Sequence, residues 1–208
     1  MGIGASRRKY PKYKTGKKEA KKTILILCEG QTEKIYFDSF EVLSMNIDIV
    51  NLKGESIGRW ERYIQEKQKS DAYKYDIIWC VFDRDYSDKD KDNEFDTIIK
   101  KLTEKKYKVA YSNDSFELWF LLHYQDIPIE AGPMYRKYCI KQLEKRIQYD
   151  KSEKYCRGIY DRILSFQQKA IDKAKKLYND KKEQPYHKQN PVTTVYQLVE
   201  FLNENKKI

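Results

Sequence analysis

Apolar residues along the first 125 positions fall into two alternating patterns. Thr23–Cys28 (TILILC) and Ile77–Phe82 (IIWCVF) are continuous apolar runs without polar alternation. Such runs predict strands buried on both faces of a parallel sheet. Residues 47–53 alternate weakly and predict another strand, and Lys108-Val-Ala-Tyr-Ser112 predicts a fourth. Between them the spacing turns helical. A helix is expected near 32–44 with Thr32 as its N-cap, and another over 56–69, where Ile57, Trp60, Tyr63 and Ile64 share a face. A third is expected at 92–105, and Asn113-Asp114-Ser115 caps an apolar helix over 116–124. The order β-α-β-α-β-α-β-α predicts an α/β fold: a mostly parallel four-stranded sheet with right-handed crossovers, flanked by helices. After Pro128 and Gly132-Pro133 the spacing is helical only, with helices expected at 135–148, 157–178 and 192–205.

Open sheets of this kind bind ligands outside the carboxyl ends of their strands. Three of the runs end there in acids. Glu29-Gly30-Gln31-Thr32-Glu33 follows the first strand, Asp83-Arg84-Asp85 follows the third, and Glu117 interrupts the apolar stretch after the fourth. Glu29 and Glu33 lie one helical turn apart, and Gly30 is read as easing the sharp turn between them. Asp83 and Asp85 project together if strand geometry persists past the run. Clustered like charges are costly unless a cation neutralises them, and oxygen-only donors suit magnesium, manganese or calcium. Glu117 needs a partner or a metal. Asn113, level with these acids, is a candidate oxygen ligand or a helix cap. Each acid also has a plainer reading as a helix-capping or solvated group. Asp88, Asp90, Asp92, Glu94 and Asp96 read as surface, His123 as a helix-face histidine rather than a base, and His187 as a loop residue without an evident partner.

Charge changes the picture more than composition does. Residues 1–22 carry nine Lys/Arg against one Glu, residues 23–133 carry 15 against 22 acids, and residues 134–182 carry 15 against six. An acidic centre is thus bracketed by basic segments, as suits contact with a polyanion such as nucleic acid through the flanks. Residues 1–21 are expected to be a basic tail without fixed structure, with Tyr10 and Tyr13 available for base stacking. Residues 22–133 form the α/β core, and residues 134–208 a basic helical extension. No apolar run approaches the roughly 20 residues of a membrane helix, and the N-terminus lacks the apolar segment of a secretory signal. Cys28, Cys80, Cys139 and Cys156 show no metal-type spacing and read as reduced core thiols, which points to the cytoplasm.

Four ordered pieces carry a resemblance to a known family. They are Cys28-Glu29-Gly30-Gln31-Thr32-Glu33 with Tyr36-Phe37; Phe82-Asp83-Arg84-Asp85; Ser112-Asn113 with Phe116-Glu117-Leu118-Trp119-Phe120-Leu121-Leu122-His123; and Asn190-Pro191-Val192-Thr193-Thr194-Val195-Tyr196. From about residue 22 onward the chain resembles RloB-like proteins, a bacterial anti-phage or abortive-infection family related to the Toprim fold. The resemblance implies that Glu29 is the Toprim glutamate and that Asp83 and Asp85 are its Asp-x-Asp pair. Glu33 would be the second acid that assists metal binding in related nucleases, and Glu117 has no general counterpart there. It further implies a magnesium- or manganese-dependent nuclease working beside an ATPase partner, since this chain has no Gly-x-x-x-x-Gly-Lys-Ser/Thr loop of its own. A homo-oligomer is compatible with it.

The leading expectation is therefore cation-assisted phosphodiester hydrolysis. Glu29, Asp83 and Asp85 would hold one ion, and Glu33 with Glu117 or Asn113 would complete a second, with Glu29 as an alternative general base. A non-catalytic nucleic-acid- or nucleotide-sensing subunit of the same fold is the rival, and a phosphatase or nucleotide hydrolase is a third reading.

Overall fold

The structure, a computed structural model, describes residues 21–53, 57–69, 75–85, 92–150 and 152–206. The basic tail with Tyr10 and Tyr13, and the acids Asp88 and Asp90, lie outside the described residues.

The expected strands form where the apolar runs stand. Strand β1 (Thr23–Cys28) leads to helix α1 (Gln31–Asp38), β2 (Asn46–Asn51) to α2 (Ile57–Lys69), β3 (Ile77–Asp83) to α3 (Asp92–Glu104), and β4 (Lys108–Asn113) to α4 (Glu117–Leu122). These four strands are parallel, in the order β2-β1-β3-β4. From Ile24 to Cys28 strand β1 is fully buried, which accounts for its unbroken apolar sequence. On β3 the side chains alternate faces. Phe82 meets Trp60 of α2 and Phe95 of α3 edge-on, with ring centroids 5.7 and 5.8 Å apart. Trp79, on the opposite face, meets Phe201.

The sheet has five strands, not four. Strand β5 (Val192–Thr193) runs antiparallel on β4, pairing Thr193 with Ser112 and Val192 with Asn113. Two residues are too few to show a strand period, so the sequence reads them as the start of the last helix. Thr194 extends the junction, because Tyr111 N–H donates to its hydroxyl at 2.9 Å. The segment after residue 133 thus contributes to the sheet itself.

The remaining helices are α5 (Arg136–Ile147), α6 (Glu153–Cys156), α7 (Ile159–Ile163), α8 (Gln167–Lys181) and α9 (Val195–Glu204). The helix expected over 157–178 is broken instead. Gly158 precedes α7 and a 3-10 turn at Leu164–Phe166 separates α7 from α8, so the chain turns where one helical stripe was expected. Helix α1 likewise ends at Asp38, short of residue 44. An aromatic cluster packs α1 on α4: Tyr36 lies 5.8 Å from Phe116 and 5.6 Å from Phe120. All four cysteines are buried and unbridged. Among the described residues, no helix is long and apolar enough to cross a membrane.

Candidate functional site

Strand β1 lies between β2 and β3, so the chain leaves β1 toward one side and later returns to its other side. The crevice beyond the carboxyl ends of β1 and β3 is the topological switch point, where doubly wound sheets take their ligands. A half-open cleft of about 430 Å³ sits there. Its walls carry Glu29, Glu33, Asp83, Asp85 and Glu117, five carboxyl groups, against two cationic side chains, Lys53 and Arg136.

Glu29 and Asp83 are joined directly. The backbone N–H of Glu29 donates to Val81 O at 3.0 Å and prolongs the ladder between β1 and β3. The Glu29 carboxylate then folds over the tip of β3, where Oε2 accepts the Asp83 N–H at 3.0 Å. Asp83 is itself nearly buried, and its Oδ2 accepts the Phe116 N–H at the head of α4, also at 3.0 Å. Its other oxygen, Oδ1, is buried without a hydrogen-bond partner. Burial pushes the Asp83 carboxyl well up from its usual range; Glu33 and Glu117 push the same way and Arg136 opposes them.

Glu33 sits in the first turn of α1 and is 6 % exposed. Gly30 is the N-cap of that helix, not Thr32. Gly30 has φ −124° and ψ 171°, extended backbone open to any residue, so a sharp turn is not what requires glycine. Room is: a Cβ at position 30 would lie 2.5 Å from Glu33 Oε2. The Glu33 side chain folds back over its own N-cap. Burial raises its carboxyl from 4.5 to about 7, and Glu117 and Glu29 add to the shift, against the backbone hydrogen bond and Arg136.

Asp85 departs from the strand geometry that its spacing suggests. The strand ends at Asp83, and Asp85 takes φ 48°, a left-handed conformation that Asp tolerates better than most residues. Its N–H is held by Asp114 O at 3.2 Å. What reunites Asp85 with Asp83 is Arg136, at the start of α5. Its guanidinium donates from Nη2 to Asp83 Oδ2 at 3.0 Å and from Nη1 to Asp85 Oδ2 at 3.1 Å, and its Nε lies 3.7 Å from Glu117 Oε2. Partial burial disfavours the guanidinium charge, yet Asp83, Glu117 and Asp85 outweigh it and raise the Arg136 pKa. Glu117 also accepts from Tyr149 OH at 3.4 Å. Its need for partners is thus met by an arginine and a tyrosine.

Of the candidate residues, Glu29, Glu33, Asp83, Asp85 and Glu117 line one cleft, and Asn113 does not. The Asn113 amide donates away from it, to Tyr186 O at 2.9 Å and His187 O at 3.1 Å. His123 is buried on Trp119 O at 2.9 Å, and burial lowers its pKa to about 4. His187 does have a partner: Asp96 takes its N–H at 2.7 Å and its Nδ1 at 2.9 Å, so Asp96 is not a free surface acid.

Arg136 is a cleft residue that sequence reasoning misses. Nothing local marks it among the other basic residues of 134–182. Two long-range clamps place it: Arg136 N–H donates to Asp114 Oδ2 at 2.9 Å, and both amide atoms of Asn190 grip the backbone of Met134, at 2.6 and 3.3 Å. Asn190 belongs to the Asn-Pro-Val-Thr-Thr piece, which thereby gains a structural role.

In kind, these donors fit a hard divalent cation, being all oxygen and including one buried, unpartnered carboxylate atom on Asp83. Three of them, Asp83, Asp85 and Glu117, are closed around Arg136. Among the described residues, no three His, Cys, Asp or Glu side chains converge as a ready ion site. The sequence model of RloB-like proteins matches residues 24–202. No curated protein and no solved structure matches the chain. The matched span covers all of the sheet but Thr23 and every residue of the cleft, and the chain belongs to the RloB-like protein family.

Proposed function

We propose that the chain is a magnesium- or manganese-dependent nuclease of Toprim type, cutting phosphodiester bonds in DNA or RNA as part of a bacterial anti-phage or abortive-infection system. The observation that carries this reading is the junction of Glu29 with Asp83 at the switch point of the sheet, two carboxylates from adjoining strand tips in one cleft. Glu29, Asp83 and Asp85 would hold a divalent ion, with Glu33 and Glu117 behind them. A bound ion would polarise the phosphoryl oxygen and lower the pKa of an attacking water.

The chain's own residues have distinct tasks in this account. Glu29 is anchored to the β3 backbone, which fixes its orientation and leaves it suited to steer the nucleophile. Glu33, protonated up to about pH 7, can return a proton to the leaving oxygen or stand as a neutral hydrogen-bond donor. Arg136 supplies positive charge for the phosphoryl oxygens. The exposed basic residues of α5 and the segments after it, Lys137, Lys141 and Lys145 among them, would bind the backbone of the nucleic acid. An ATPase partner, a cytoplasmic location and self-association belong to the same proposal.

Incubation of the protein with plasmid, linear DNA and RNA in manganese tests it. The expected result is cleavage that is lost in Asp83→Ala with Asp85→Ala. No cleavage of any polymer by the wild type, or full activity in the double variant, would refute it. A second reading has one observation in its favour: Arg136 already neutralises Asp83 and Asp85, as a sensing subunit without catalysis would require. That subunit would bind nucleic acid in a salt-dependent manner and cut none.

A further inference from the structure

Arg136 enters the cleft from a part of the chain that none of the acidic motifs contains. Its guanidinium stands where a central cation would stand. It touches the end of β3 through Asp83, the following turn through Asp85, and the first residue of α4 through Glu117. The two ends of this residue are held very differently. Its backbone is fixed by Asp114 and by the Asn190 grip on Met134. Its side chain is 32 % exposed, and its Nε has no hydrogen-bond partner. Exchange of its partners would swing the head group about this fixed helix start.

Two cations cannot hold the same carboxylate oxygens without repelling each other. Asp83 places Arg136 and the Phe116 N–H on Oδ2 alone. An arginine fork matches a phosphate as well as it matches a carboxylate pair. Next to Arg136, α5 exposes Lys137, Tyr138 and Lys141.

We propose that Arg136 is an exchangeable counter-ion. In the resting cleft it neutralises Asp83 and Asp85; as a divalent cation enters, it yields those carboxylates and takes the phosphodiester oxygens of the bound nucleic acid. This rests on the cation-dependent reading above and adds a device to it: the acidic site is held together without its ion, and the residue released by the ion becomes the phosphate contact.

The test is manganese binding by calorimetry, without nucleic acid, on the full chain and on Arg136→Gln and Arg136→Lys, each checked for folding by circular dichroism. Removal of the competing charge tightens manganese binding in Arg136→Gln by about tenfold or more, since a unit charge a few ångströms away is worth at least that factor at a half-buried site. Arg136→Lys falls between, because an ammonium cannot bridge both aspartates in parallel. A merely structural role predicts the reverse, with weaker binding in both variants. Equal or weaker binding in folded Arg136→Gln, beside measurable binding by the wild type, would overturn the exchange and leave the cation site standing. No binding by any of the three would overturn the exchange together with the cation-dependent reading beneath it.

Discussion

Substitution of Glu33 by Gln should stabilise the protein in a pH-dependent way. In the folded chain Glu33 keeps its proton up to about pH 7, whereas an ordinary glutamate loses it near 4.5. Between those values the folded state binds more protons than the unfolded one, so stability declines as pH rises, and above 7 the whole penalty is present. A shift of that size corresponds to roughly 3–4 kcal/mol at about 1.4 kcal/mol per pH unit. Because Glu29 and Glu117 share in it, about 2–3 kcal/mol is the expected gain from removing the charge. The substituted amide keeps the carbonyl oxygen and nearly the same volume, so packing over Gly30 is preserved. At pH 8, Glu33→Gln should melt roughly 4–12 °C above the wild type for a chain of this length, and below pH 4.5 the two should melt together. Thermal unfolding from pH 4 to 8.5, backed by urea titration at both ends, reads this directly. A variant less stable than the wild type at pH 8, or a gain independent of pH, would refute the burial argument. The same variant should lose nuclease activity, because the group that strains the fold is assigned a place in the chemistry.

Gly30→Ala should leave overall stability within about 1 kcal/mol, since the methyl group meets only the far end of a flexible side chain, but it should displace the Glu33 carboxylate and lower cleavage; a drop of several kcal/mol in urea titration would contradict this. Asp83→Asn keeps an acceptor for the Phe116 N–H and removes the charge, so cleavage in manganese should fall about a hundredfold or more while the fold persists. Asp96→Ala removes both acceptors of His187 and should cost about 1–3 kcal/mol by chemical unfolding without touching the cleft. Ile26→Ala opens a cavity in the fully buried middle of β1 and should cost about 2–5 kcal/mol.

The parallel strands are legible in the sequence because burial on both faces leaves an unbroken apolar run, as in Ile24–Cys28 and Ile78–Phe82. The position of the cleft follows from the same runs, since acids stand where each one stops. Strand β5 escapes because two residues carry no period, and its place is set by pairing with β4, some 80 positions earlier. The break around Gly158 and Leu164–Phe166 escapes because a single helical stripe can be drawn through it. Arg136 escapes for a different reason. Its role comes from Asp114 and Asn190, and from carboxylates that lie 19 to 53 residues away in the chain; spacing does not encode such contacts. Asp85 shows the limit of extrapolating a strand: its left-handed backbone departs from strand geometry, and Arg136 bridges it to Asp83.

Anomalous diffraction from crystals soaked in manganese tests the central claim most directly. The account predicts a peak within ligand reach of the carboxylates of Glu29 and Asp83, with the Arg136 guanidinium turned away from Asp83. A cleft without manganese, and Arg136 still bridging Asp83 and Asp85 at saturating ion, would contradict it.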